Sequence, residues 1–347
     1  MNSIYNYTLE ELGAYFESIG DKKYRATQVF EWLYRNRVSD FDQMTNLSKK
    51  GLSVLKEEFT IDRLKIVRLQ KSSDGTRKYL FELSDGKMVE SVLMRHNYGN
   101  SICISTQVGC NMGCAFCASG ELGKVRNLEL SEMVLQVLMV QIDLDQDNER
   151  ISNIVVMGTG EPFDNYQNLL RFLSVVNYPK GLEIGARHIT VSTCGIVPKI
   201  LEFAFFPLQI NLAISLHAPN DEIRNDIMKI NRKYKINDVM EAVSTYLEKT
   251  NRRVTFEYIL IGGVNDSLDN AEELAKLLKN TLCYVNLIPY NEVSTKPFKK
   301  TTHEQAEKFF SVLRKKGINA TLRMEHGADI DAACGQLRAK VLKEKRG

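Results

Sequence analysis

The sequence predicts an α/β fold, a parallel sheet covered by helices, preceded by a small helical unit and a short β extension. Three observations carry this. Between residues 102 and 290 six apolar, strand-like runs recur, ICIST (102–106), NIVVMG (153–158), HITVST (188–193), NLAISL (211–216), VTFEYIL (254–260) and YVNLIPY (284–290), and a parallel strand buried on both faces reads as such a continuous run. Each is followed by a stretch able to form a helix, the repeat of a βα unit. The polar groups gather at the C-terminal ends of the runs, where both an incomplete barrel and an open doubly wound sheet bind ligands. Periodicity leaves these two architectures open.

The elements follow in order. Residues 1–62 read as a helical accessory domain: Thr8-Leu9-Glu10-Glu11 has the pattern of a helix start, and residues 22–36 place Phe30, Leu33 and Tyr34 near one face. Those aromatic residues are expected in a core rather than as base-stacking platforms. Residues 63–95 change to short alternating runs around Ser-Asp-Gly turns, the pattern of a small antiparallel sheet with Glu90 on its last strand. Residues 96–347 hold the strand–helix core and a C-terminal segment.

Composition narrows the function. The chain has 347 residues of which 44% are hydrophobic, enough for a large core, and this excludes a disordered protein. No run of eighteen apolar residues is present to span a bilayer, and the acidic, amphipathic N-terminus resembles neither a signal peptide nor a lipidation site. A cytoplasmic location, with reduced thiols, is the expectation. The net charge is only +3, but residues 61–80 carry six Lys/Arg against two Asp/Glu, and residues 293–347 carry thirteen against six. Two basic zones suggest a polyanionic partner, against the plainer alternative of a solvated surface. Helix-turn-helix, RNA-recognition and KH motifs are absent from the sequence, so an RNA partner has to be gripped by shape and charge.

Four of the seven cysteines fall within fifteen positions: Cys103, Cys110, Cys114 and Cys117. The last three have C-x3-C-x2-C spacing on a loop made pliable by Gly109 and Gly113, so three thiolates can converge on one centre. Spacing alone leaves open a zinc site with Cys103 as fourth ligand, a [4Fe-4S] cluster whose fourth iron stays open to a ligand, and unligated thiols.

Read together, CNMGCAFC, MVESVLM, GTGEPFDN, ARHITVSTCG, ISLHAPNDEIR, FEYILIGGVND, VNLIPYN and DIDAACGQLRAK resemble the RlmN/Cfr family of radical S-adenosylmethionine (SAM) RNA methyltransferases, over about residues 5 to 342. The resemblance implies a radical SAM partial (β/α)6 barrel. It implies that Cys110, Cys114 and Cys117 hold one [4Fe-4S] cluster, and that Gly160 and Glu161, Ser192, Ser215-Leu216-His217 and Asn291 contact SAM. Cys334 matches the family's methyl-carrying cysteine, Cys103 the cysteine that resolves a transient protein–RNA adduct through a disulfide, and Glu90 the proton acceptor. The implied reaction is C2 methylation of adenosine 2503 in 23S rRNA and adenosine 37 in some tRNAs, consuming two SAM. It calls for a flavodoxin-like one-electron donor and a disulfide reductant, and for a monomeric enzyme by default. The chemistry fits the substrate, because an electron-poor adenine ring carbon is closed to polar attack on a methyl sulfonium.

Two alternatives stand beside this. A Cfr-type C8 methyltransferase shares the cysteine set, although the prolines of GTGEPFDN and VNLIPYN resemble the C2 enzymes. A non-catalytic iron–sulfur or zinc RNA-binding module would leave Cys103 and Cys334 without work. Asp329 and Asp331 are expected to fix the Cys334 loop by accepting backbone hydrogen bonds. No catalytic role is expected for Cys194 or Cys283.

Overall fold

The computed structural model describes residues 1–120, 123–293, 295–323, 327, 329–330 and 336–344. In the first sixty residues, β1 (Asn2–Ser3) pairs in parallel with β2 (Phe59–Thr60), so the two ends of the helical unit meet. Its first helix, α1 (Leu9–Ser18), starts where the sequence placed it. The Thr8 hydroxyl accepts the Glu11 N–H at 3.2 Å and the Glu11 carboxylate accepts the Thr8 N–H at 2.8 Å, a reciprocal cap that satisfies two orphan donors. The next helix, α2 (Tyr24–Phe30), runs into a π-helical turn over Glu31–Arg35 and buries Phe30, Leu33 and Tyr34 as expected of core residues. A third helix, α3 (Lys49–Glu58), completes the unit.

Among the described residues eleven strands form one sheet, ten of them in a continuous row. Its first three, β3 (Lys65–Lys71), β4 (Arg77–Glu82) and β5 (Met88–His96), are antiparallel, as the alternating runs predict. They do not form a sheet of their own: β5 pairs with β6 (Gly99–Cys103), the first strand of the core, bringing Val92 opposite Cys103. After β6 a short hairpin, β7 (Gln107–Val108) with β8 (Arg126–Asn127), brackets the cysteine loop. The core then alternates α4 (Leu130–Asp145), β9 (Ile151–Val156), α5 (Tyr166–Asn177), β10 (Ile189–Thr193), α6 (Val197–Phe203), β11 (Asn211–Ser215), α7 (Asp221–Ile227), α8 (Ile236–Thr250), β12 (Val254–Gly262), α9 (Leu268–Leu277) and β13 (Cys283–Pro289). A two-residue β14 (Lys299–Lys300) pairs with β12, and α10 (His303–Lys315), β15 (Ala320–Leu322) and α11 (Gln336–Glu344) follow. All six strands expected from the apolar runs are present.

Strand order decides between the two architectures that periodicity left open. The sheet runs β15-β13-β12-β11-β10-β9-β6-β5-β4-β3, and every pairing from β6 to β15 is parallel. The core strands follow one another in chain order without reversal. Right-handed crossovers then put all the helices on one face, and no switch point arises where helices would change sides. The result is an incomplete barrel, with its concave face free to enclose a ligand.

The helical unit is fixed to the outside of the barrel by polar contacts. Arg37 forms a bidentate pair with Asp145 of α4 at 2.6 and 3.0 Å, and Arg171 of α5 reaches Glu11 at 2.8 Å. At the other end, Leu337 and Val341 of α11 pack on Leu80 and Met88, covering the antiparallel strands. Among the described residues no helix is long and apolar enough to cross a membrane.

Candidate active site

The parallel strands converge at their C-terminal ends on a cavity of about 420 Å³, within the range of small-ligand sites. It is lined by Cys103, Cys110, Cys114, Cys117, Gly160, Glu161, Ser192, Ser215, His217 and Asn291, ten of the thirteen residues singled out in the sequence. The other three are Leu216, Glu90 and Cys334. Leu216 is fully buried in the main core and does not line the cavity. Glu90 lies on β5 two residues from Val92, which lines the cavity, and so shares its face. Cys334 lies outside the described residues.

The cysteine loop depends on glycine at its root. Gly109 has φ +83°, and a β-carbon there would meet the Gly123 carbonyl at 1.7 Å, so no other residue fits. The loop is tied down by the Ala115 N–H to the Ile227 carbonyl at 2.9 Å and by the Lys124 N–H to Asn111 Oδ1 at 2.9 Å. Burial pushes the Cys110 thiol up to about 11, and the neighbouring Cys117 sulfur adds to this. The Cys114 thiol is driven higher still by burial, with Cys117 and Cys110 next in effect. The three sulfurs therefore feel one another, and a cationic centre among them would remove the penalty on their thiolate forms. Soft thiolates on a short loop suit an iron–sulfur centre. Among the described residues no three His, Cys, Asp or Glu side chains are drawn together tightly enough to hold a metal ion as they stand. Loop and lining mark the place rather than a closed ligand set.

The wall next to the loop is built by buried side chains that bond backbone. Gly160 has φ +114°, and its missing β-carbon would fall 2.7 Å from Gln107 Cβ. Gln107 Oε1 accepts the Glu161 N–H at 2.9 Å. The Glu161 carboxylate accepts the Phe163 N–H at 3.0 Å and the Cys194 N–H at 2.8 Å, bridging the ends of β9 and β10. Burial raises its pKa against the effect of these bonds. Ser192 and Ser215 hydroxyls stand 3.2 Å apart on adjacent strands.

His217 sits just past β11 with φ +59°, an uncommon conformation for a residue with a side chain. Its Nδ1 accepts the Ile259 N–H at 3.1 Å, which leaves the proton on Nε2. Burial, helped by Arg224, lowers its pKa to about 3, so the imidazole is neutral at physiological pH. Phe116 of the cysteine loop meets the ring edge-on at 5.2 Å.

Three supporting residues escaped the sequence reading. Arg224 is completely buried and donates to the carbonyls of Cys194, Ser215 and Leu216, locking the ends of β10 and β11 together. Gln136 Oε1 accepts the Ser105 N–H at 2.9 Å and its amide donates to the Ser105 carbonyl at 3.0 Å, fixing the chain just after Cys103. Glu257, buried in the middle of β12, lines the cavity. A lone glutamate in the apolar run VTFEYIL was the available signal for the last.

Glu90 has the surroundings of a structural residue as well as a chemical one. Its carboxylate pairs with the Lys78 ammonium at 3.0 Å, both side chains being buried, and accepts the Arg338 N–H of α11 at 2.5 Å. Asp329 bonds the Ser72 hydroxyl and accepts the Ser73 N–H at 3.1 Å, as expected for a residue that fixes its loop. In return, Asp74 accepts the Gly327 N–H at 2.8 Å. Gly327 and Asp329 are thus tied to the β3–β4 turn; Asp331 lies outside the described residues. No disulfide joins the described cysteines.

Two family models match the chain: the Radical SAM superfamily over residues 104–278 and the "Ribosomal RNA large subunit methyltransferase N-terminal domain" over residues 2–61. The chain is 59% identical to the "Probable dual-specificity RNA methyltransferase RlmN" of Geobacillus kaustophilus, over 99% of its own length and 94% of the relative's. The chain belongs to the RlmN family. To the Bacillus subtilis protein of the same name it is 56% identical, over 97% and 93% of the two chains. The crystal structure of a radical SAM methyltransferase from Sphaerobacter thermophilus superposes with a TM-score of 0.92 at 45% identity, covering 97% of this chain and 99% of that one. Membership of the RlmN family carries with it the radical SAM core, which works with SAM and an iron–sulfur centre.

Proposed function

We propose that this chain is a SAM-dependent RNA methyltransferase that places a methyl group on carbon 2 of adenosine 2503 in 23S rRNA and of adenosine 37 in some tRNAs. The observation that carries the reading is the cavity, where the three loop cysteines, the Gly160-Glu161 turn and Cys103 face one space. Residues so far apart in sequence line one cavity, which supports the reading.

Cys110, Cys114 and Cys117 would hold the [4Fe-4S] cluster, which together with SAM supplies the one-electron chemistry needed at a ring carbon that is not nucleophilic. The chain's own residues do the rest. Gly160 lets the backbone approach the amino end of SAM, while Glu161, engaged with two N–H groups, keeps lone pairs and negative charge beside it. Ser192, Ser215, the backbone of Leu216, His217 and Asn291 contact the remainder of SAM. Cys334 carries the methyl group as a thioether. Cys103 attacks the Cys334 sulfur once the carbon is joined to adenine; the carbon leaves with the electron pair of the C–S bond and takes up a proton to become the methyl group, and the disulfide left behind is reopened by an external reductant. Glu90 takes the ring proton. A flavodoxin-like protein supplies electrons, and a reducing cytoplasm keeps the thiols competent.

Nucleoside mass spectrometry of rRNA and tRNA from a strain lacking the gene, with and without the restored chain, tests the proposal. Loss and return of 2-methyladenosine in both RNAs is the expected result. Unchanged 2-methyladenosine in tRNA would restrict the enzyme to rRNA, and 8-methyladenosine as the dependent product would refute the C2 assignment.

A further inference from the structure

One buried acceptor in the cavity has no donor among the described residues. Glu257 is 4% exposed and lines the cavity from β12. Its Oε1 accepts the Asn286 amide at 3.3 Å, a long bond, whereas Oε2 has no hydrogen-bond partner among the described residues. Arg323, also on the cavity wall, is the nearby positive charge that moderates the carboxyl, and its guanidinium is directed to the Met94 sulfur at 3.5 Å. Burial nevertheless holds the Glu257 pKa above the usual carboxylate range. Buried polar atoms without partners are rare, and one that faces a ligand cavity is explained when the ligand brings the missing donor.

Register indicates which donor. Glu257 is the direct neighbour of Ser215 on β11 and of Asn286 on β13. Paired positions of adjacent strands present their side chains to the same face. The Ser215 hydroxyl in turn meets Ser192 at 3.2 Å. Two hydroxyls and a carboxylate thus share one face of three adjacent strands, with Ser192 diagonal to Ser215 in register. That set matches a vicinal diol, whose two hydroxyls need acceptors, and acidic residues bind ribose in this way in dinucleotide sites.

We propose that Glu257 accepts a hydrogen bond from a ribose hydroxyl in this cavity, gripping with Ser215 and Ser192 the vicinal diol of SAM. The inference rests on the reading above that Ser192 and Ser215 face SAM. The target nucleotide also carries a ribose hydroxyl, so the test separates the two sources.

The full chain, purified without oxygen and holding its cluster, is titrated calorimetrically with S-adenosylhomocysteine and with its 2′,3′-dideoxy analogue. RNA affinity is measured separately by filter binding. Glu257→Ala weakens S-adenosylhomocysteine by about 10- to 100-fold, as loss of a hydrogen bond to a charged group does. The dideoxy analogue binds wild type and variant alike, and RNA affinity is unchanged. Glu257→Gln, which keeps an acceptor oxygen, loses less and serves if the alanine variant does not fold. Wild-type affinity in Glu257→Ala overturns the proposal, as does an equal loss with the dideoxy analogue. A loss confined to RNA overturns it too, assigning the ribose to the target nucleotide. Ser215→Ala separates the two levels: if it loses affinity while Glu257→Ala does not, only the role of Glu257 fails, and if neither does, the reading of the set as a SAM site fails with it.

Discussion

The buried pair between Lys78 and Glu90 gives the most informative perturbation, because one residue stands in both the structural and the chemical account. Lys78 is 0% and Glu90 4% exposed, 3.0 Å apart. Removing one member of such a pair strands the other's charge and costs about 3–5 kcal/mol, whereas replacing both with neutral groups is close to neutral. Glu90→Gln keeps an acceptor for the Arg338 N–H but takes the carboxylate from beside the ammonium. Lys78→Met takes the ammonium from beside the carboxylate, which keeps the Arg338 N–H. At about 2 °C per kcal/mol for a chain of this size, each single variant melts roughly 6–10 °C lower. Lys78→Met/Glu90→Gln removes both charges of the pair and recovers most of that loss. Activity separates the roles, since an amide cannot take a proton. The stable double variant remains slower than wild type by about 10²- to 10⁴-fold, the usual contribution of general base catalysis. The assays are thermal melts and methylation rates measured well below the lowest melting point. A double variant that regains both stability and activity refutes Glu90 as base, and single variants that melt like wild type refute the energetics of the pair.

Three further predictions follow from the geometry. Arg224→Met leaves the Cys194, Ser215 and Leu216 carbonyls without their donor, so S-adenosylhomocysteine affinity measured by calorimetry falls at least about tenfold; unchanged affinity counts against the brace. Gly109→Ala cannot place its β-carbon beside the Gly123 carbonyl, so the anaerobically purified variant carries well under half the wild-type iron while its circular dichroism is retained. His217, with its pKa lowered to about 3 against about 6.5 when unfolded, binds no proton in the native state between these values while the unfolded chain does. Its contribution to stability is therefore complete above about pH 6.5 and is lost as pH falls toward 3; an imidazole NMR signal that titrates near 6.5 in the folded protein contradicts this.

How far the sequence could be read depended on whether a residue's role was local or long-range. The six apolar runs became β6 and β9 to β13 because a buried parallel strand has a local signature. The Thr8 cap was legible for the same reason. Barrel and doubly wound sheet could not be separated, since strand order is set by pairing between distant segments. The continuation of β3, β4 and β5 into the core sheet was hidden likewise: alternation reports a half-buried face, not the neighbour across the edge. At the site, the cysteine spacing and the glycine-opened loops stood out. Arg224 and Gln136 did not, because their function is to satisfy carbonyl and amide groups on other elements, which no local pattern encodes. Leu216 shows the opposite limit, where a motif included a residue whose side chain is core.

In the proposed reaction Cys334 carries the methyl group and Cys103 releases the product. Cys103, on β6 beside Val92, lines the cavity with the loop cysteines, so its replacement removes the nucleophile while leaving the rest of the site in place. The decisive measurement is a denaturing gel and peptide mass spectrum of Cys103→Ala, expressed as the full chain with its native RNA. The expected result is protein covalently joined to RNA through Cys334, an adduct absent from Cys334→Ala. Normal turnover by Cys103→Ala, or an adduct that maps to any residue other than Cys334, would contradict it.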